Sequence, residues 1–180
     1  PMSTICGGER KDTRANDSVM LRLKLKAPQT ARSFSFQFKF FSKEYPKFVC
    51  DDYNDFFLAL VDSPTNKAIP ADHNIAFDEN KNPISVNNAF FTECDKSKCK
   101  KTKGCSDCSG GTSSLAGYFS AADAGATSWL KTSVPVSGGE KFTLDLIIFD
   151  AGQKKSSGTT NSGYGHQRDS LVLLDAFAWG

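Results

Sequence analysis

The sequence predicts an all-β domain: a two-sheet antiparallel β-sandwich, jelly-roll-like, with long disulfide-bearing loops. Three observations predict it. Phenylalanine dominates the aromatics, with 15 residues against two Trp and four Tyr, and Phe and β-branched side chains suit a pleated, half-buried surface. Gly, Ser and Asn punctuate the chain at short intervals, as turns require. No segment sustains the periodicity of a helix, and no internal repeat is visible. The 180 residues suit one domain over 1–180, and a domain of this length buries roughly 70% of its unfolded surface without needing cross-links merely to fold.

Taken in order, an N-terminal arm (1–17) leads into "SVMLRLKLKA", where Val19, Leu21, Leu23 and Leu25 alternate with Met20, Arg22, Lys24 and Lys26. That alternation predicts a strand with one wet face. "SFSFQFKFF" repeats it, with Phe34, Phe36, Phe38 and Phe40 on one side and Ser33, Ser35, Gln37 and Lys39 on the other. The turn between them lies around Pro28, and the two are expected to be adjacent strands. "DFFLALV" is apolar on both faces and reads as a central strand. "NIAF" and "ISVN" are short strands divided by the turn-rich "DENKNP". A Cys- and Lys-rich loop (92–112) follows, then "LAGYF", a Gly/Ala stretch and "SWLKTSVPV". The turn "SGGE" leads into "KFTLDLIIFD", and "DSLVLLDAFAW" is the last strand. These two final strands are expected to pair antiparallel. Between them lies a Gly/Ser-rich insert (151–168), with too little apolar surface to pack; it reads as disordered when free, or as a recognition loop bearing Tyr164 and His166.

The net charge of +2 argues against a general nucleic-acid binder. The run Lys96, Lys98, Lys100, Lys101 and Lys103 lacks interleaved aromatics and reads as a solvated loop. No apolar run approaches the ~20 residues that span a bilayer. No basic start followed by an apolar stretch is visible, and the chain reads as an excised domain or mature fragment. Six cysteines, Cys6, Cys50, Cys94, Cys99, Cys105 and Cys108, in a loop-rich β protein favour disulfides and an oxidising compartment. Their connectivity is open at this level. The spacing C-x4-C-x5-C-x2-C contains one CxxC and departs from paired zinc-knot spacing, so zinc is not expected.

Carboxylates collect near strand ends. Asp150 closes one strand and Asp169 opens the next, so pairing those strands would bring the two together; like charges at that distance raise a pKa or call for a cation. Arg168, Lys154 or a calcium ion would serve, calcium taking six to eight oxygens. Asp175 has apolar neighbours of both strand parities and is expected to be buried, where a carboxylate must be paired, hydrogen-bonded or metal-bound. Ahead of "DFFLALV", the residues Glu44, Asp51, Asp52, Asn54 and Asp55 lie on a turn and a strand entrance. No EF-hand spacing is present, so a calcium site here would be discontinuous. The bland reading is a solvated acidic turn held by an Asx-turn.

The order "SFSFQFKFFSKEYPKFVCDDYNDFFLAL", "NIAFDENKNPISVNNAFF", "WLKTSVPVSGGEKFTLDLIIFDAG" and "DSLVLLDAFAW" resembles the choice-of-anchor L family, over nearly the whole chain from Val19 to Trp179. The resemblance implies an extracellular β-sandwich of a secreted or surface-displayed bacterial protein, tethered by another part of that protein. It places Glu44, Asn54, Asp55, Asp150, Asp169 and Asp175 inside family motifs. Two departures stand out: Ala176 replaces the usual Asn after the final-strand Asp, and Gln153 replaces an acid ahead of the long insert.

The function expected is therefore a cell-adhesion or binding module, braced by calcium at Glu44, Asn54, Asp55, Asp150, Asp169 and Asp175. Its glycan or protein ligand at a cell surface is met through loops carrying Tyr53, Tyr164 and His166. Tyr45 and Tyr118 are further aromatics that could stack on a ligand. No catalytic residue is expected: G-x-S-x-G and H-E-x-x-H are absent, and the two histidines are His73, which reads as a turn residue, and His166. The alternatives are a structural building domain of a surface assembly, and a glycan hydrolase using a carboxylate pair such as Glu44 with Asp55.

Overall fold

A computed structural model describes residues 6, 15–50, 53–64, 66–78, 81–88, 91–99, 105, 108–118, 124–152 and 169–180. Its strands are β1 (Ala15–Lys26), β2 (Ser33–Ser42), β3 (Tyr53–Asp62), β4 (Ile84–Ser85), β5 (Phe91–Cys94), β6 (Gly125–Thr127), β7 (Leu130–Pro135), β8 (Lys141–Gly152) and β9 (Ser170–Trp179). The described helices are single turns, α1 (Lys96–Cys99) and two 3-10 turns at Val86–Asn88 and Ser113–Leu115.

Two antiparallel sheets result. The first runs β1–β8–β3–β4, so β3 is interior, as its two apolar faces predict. In the second, β2 is central: β7 and β6 share one of its edges and β9 takes the other along residues 34–42. The predicted adjacency of the first two strands is corrected, because the turn at Pro28 carries the chain from one sheet to the other. The predicted pairing of the last two strands is corrected as well. Both edges of β8 are already filled by β1 and β3, so β9 crosses to β2. Over its described residues 115–118, "LAGYF" is not a strand; it leaves a 3-10 turn whose Leu115 packs beneath Phe41 with Ala124 and Ala126 on the outer face of the second sheet.

The main core lies between the layers. Phe34, Phe36, Phe38 and Phe40 of β2 are all buried, facing Phe57, Ala59 and Val61 of β3 and Phe142, Leu144 and Leu146 of β8. Phe38 meets Phe57 with ring centroids 5.1 Å apart, and Phe34 stacks on Phe142 at 5.1 Å. All six cysteines pair, as Cys6–Cys50, Cys94–Cys108 and Cys99–Cys105. The last two close the Cys/Lys-rich loop over Tyr45, whose hydroxyl lies 3.2 Å from Cys105 Sγ. Gly125 of β6 sits under this assembly: an added Cβ would overlap the Tyr45 ring and come within 2.9 Å of Phe91. Gly125→Ala should therefore destabilise the domain by about 2 kcal/mol through overpacking, read as a lower urea midpoint at unchanged slope.

Candidate functional site

Side chains alternate across a strand, so each inward row can be followed to its end. Beyond Phe40 the next inward position of β2 is Ser42. Ahead of Phe57 in β3 it is Asp55, beyond Ile148 in β8 it is Asp150, and ahead of Val172 in β9 it is Ser170. Antiparallel pairing places all four at one rim, with Asp55 opposite Asp150 in the first sheet and Ser42 opposite Ser170 in the second. The two pairs meet across the layers. Ser42 Oγ donates to Asp55 Oδ2 at 3.0 Å, and Ser170 Oγ donates to the same oxygen. Asp55 is thus an inter-sheet latch. Ser42 Oγ also accepts the Glu44 N–H at 3.0 Å, and the turn this sets brings the buried Glu44 carboxyl against Asp55.

Asp55 and Asp150 hold protons more tightly than free carboxyls do. Burial pushes Asp55 up from its ordinary value, opposed by hydrogen bonds from Ser170, Asp150, Ser42 and Glu44. Asp150 is pushed up to about 7, first by burial, then by the charge of Asp55 and their shared hydrogen bond, and further by Asp17 and Asp169. Near neutrality this pair holds a proton between two carboxylates. Loss of that proton would leave a set of hard oxygens of the kind calcium prefers. Asp55 lies between Glu44 and Asp150 as the middle of a chain. Among the described residues, the donor trio within coordinating range is instead Cys94, Cys99 and Cys108, whose sulfurs are in disulfides.

Of the predicted acidic set, Glu44, Asp55 and Asp150 come together, and exposed Asp169 is near enough to act on Asp150 through its charge. Asn54 points away: its Oδ1 accepts the Asn87 N–H at 3.1 Å, clasping β3 to the 3-10 turn, and Asn87 Oδ1 accepts the Cys50 N–H at 2.7 Å. The expectation that Asp175 is buried is corrected. A bulge in β9 opposite Ser35 to Gln37 of β2, with a positive φ at Ala176 (51°), leaves Asp175 facing solvent, where its carboxylate accepts the Ala176 N–H. It lies five residues along β9 from Ser170, roughly 16 Å away.

Tyr45 is also corrected: it is fully buried, stacked on Phe91 at 4.2 Å, and unavailable to a ligand. Tyr118 is exposed against Phe41. Tyr53 begins β3, its side chain lying outside the described residues, as do Tyr164, His166, Lys154 and Arg168. His73 is a turn residue, with φ 61° and its Nδ1 2.9 Å from the Val61 carbonyl. Sequence reasoning missed Ser42, Ser170 and Asp17. The two serines were recoverable by continuing each inward row by twos; Asp17 was not, because a bulge between Asn16 and Val19 sets its position.

The family model described as Choice-of-anchor L domain matches residues 3–164 of the chain. No curated protein matches in the same comparisons, and no solved structure does. The match points to a domain of a larger secreted or surface protein of bacteria, and three disulfides fit an extracellular location. No helix among the described residues is long and apolar enough to cross a membrane. With its model covering residues 3–164 of 180, the chain belongs to the Choice-of-anchor L domain family.

Proposed function

We propose that this domain is a non-catalytic recognition module of its parent surface protein. It holds a glycan or protein ligand through the loops at its acidic rim, and calcium braces those loops. The carrying observation is the position of the Asp55–Asp150 pair with Glu44. The end of β2, the start of β3, the end of β8, the start of β9 and the start of β1 all lie at that end of the sandwich. A cation taken up there would fix three loop stems at once. The donors suit calcium in kind and charge, and their mutual hydrogen bonds mean that the ion takes the place of the shared proton. A glycan hydrolase is disfavoured by the contact between Glu44 and Asp55. Carboxyls flanking a glycosidic bond stand at least about 5 Å apart, with the sugar between them.

Two measurements test this reading. In chelator-treated protein at pH 8, calcium at about 100 times its dissociation constant should add about 2.7 kcal/mol, raising the melting temperature by several degrees. The gain should shrink at pH 5.5, where the proton competes. An unmoved melting temperature at pH 8 would remove calcium from the account. On glycan and protein arrays the domain should be retained without product release; turnover of any glycan would replace binding with catalysis.

A further inference from the structure

Among the described residues, the outer edge of β1 is open. This strand pairs with β8 on one side and has no strand partner on the other among the described residues. Its inward row is Val19, Leu21, Leu23 and Leu25. Leu23 and Leu25 pack against the core, whereas Val19 is 66% and Leu21 51% exposed, and outward-facing Met20 is 53% exposed. This part of the first sheet therefore overhangs the second.

Natural edge strands are normally guarded by charge, proline or a bulge. Here the bulge lies between Asn16 and Val19, and the cations lie at Arg22, Lys24 and Lys26. The apolar run 19–21 is left bare between them. Arg22 does not guard it, because its guanidinium is turned back onto β8 by two 2.7 Å bonds to the Asp145 carboxylate.

We infer that β1 pairs antiparallel with β1 of a second copy of this chain about a two-fold axis at Leu21, joining two four-stranded sheets into one continuous sheet. A two-fold axis perpendicular to a sheet sets residues equidistant from it face to face. With the axis at Leu21, Val19 meets the second copy's Leu23, Leu21 meets itself and Met20 meets Arg22, so no like charges are opposed. Lys24 then reaches the second copy's bulge, which carries Asp17. Sliding the axis to Arg22 opposes two guanidiniums, and sliding it to Leu23 opposes Arg22 with Lys24, both unfavourable. Sliding it to Met20 runs the regular ladder into the bulge after three residues. Charge on one side and the bulge on the other thus select one register. The residues that lack cover in one copy are those the other copy supplies.

Sedimentation velocity of the full chain from about 5 µM to about 300 µM tests this, because self-association makes the mean mass concentration-dependent. The mean mass should climb toward that of two chains. Leu21→Lys puts two ammonium groups at the axis and should weaken association at least about tenfold. It should leave the monomer folded, since the side chain is half exposed; Val19→Lys is the second variant, with the same expectation. Leu174→Lys, on β9 of the second sheet, 42% exposed and outside the ring cluster, should associate like the parent chain. A parent chain monomeric throughout, a dimer that survives both β1 lysines, or one abolished by Leu174→Lys would overturn the inference.

Discussion

Phe34→Ala should lower the unfolding free energy by about 4 kcal/mol, or about 10 °C in melting temperature. Phe34 is fully buried at the point where four aromatic rings meet. It stacks on Phe142 at 5.1 Å and on Phe177 at 5.8 Å, and meets the edge of Trp179 at 6.2 Å. Truncation removes the largest part of that contact from the middle, and none of the remaining rings can fill the space without leaving its own neighbours. Since Phe142 belongs to β8 while Phe177 and Trp179 belong to β9, the loss is also a loss of contact between the two layers. Phe36→Ala, on the same row but without that ring cluster, should cost less. Urea unfolding of both variants checks the order, and equal midpoints would show that the four-ring cluster carries no special weight.

In the absence of divalent cations, the melting temperature should fall by roughly 3–6 °C as pH rises from 5 to 8.5. The sign follows from the direction of the shifts. Asp150 is raised from the ordinary 3.8 to about 7, and Asp55 is raised too, so the folded state binds protons more tightly than the unfolded chain. The stabilisation is complete below about pH 4 and is lost as pH rises through about 7. A rise from 3.8 to about 7 at a half-buried carboxyl, screened by solvent, is worth about 1–2 kcal/mol. Asp95 and Asp145, both lowered by their hydrogen-bond partners, stay ionised across this window and contribute no slope. Asp150→Asn should flatten the profile and raise the melting temperature at pH 8. A profile with the same slope in Asp150→Asn would place the titration elsewhere.

The long strands were legible because alternation survives in them. The Phe34–Phe40 row, the doubly apolar run 56–61 and the run 141–150 within β8 all sit where their patterns put them. Strand partners were not legible. Nothing local in "DSLVLLDAFAW" says that both edges of β8 are already occupied, and an edge is filled by the whole topology. The site was half legible. Asp55 and Asp150 stood out as acids at strand ends, yet the atoms that fix Asp55 across the layers are serine hydroxyls, a residue type with no distinguishing signal. Asp175 was misread for a related reason. Strand parity assumes an unbroken pleat, and a bulge exchanges the two faces.

The Cys6–Cys50 bridge has a mechanical consequence for a domain carried on a larger surface protein. It spans 44 positions and encloses both β1 and β2. Tension applied between the two ends of the chain passes through the sulfur atoms and bypasses that loop. The two enclosed strands are never drawn out straight, and the fully stretched length is shorter by roughly 150 Å than that of the same chain with the bridge reduced. Force arriving from the N-terminal side instead enters at Cys50 and passes on to β3, the strand whose Asp55 fastens one layer to the other.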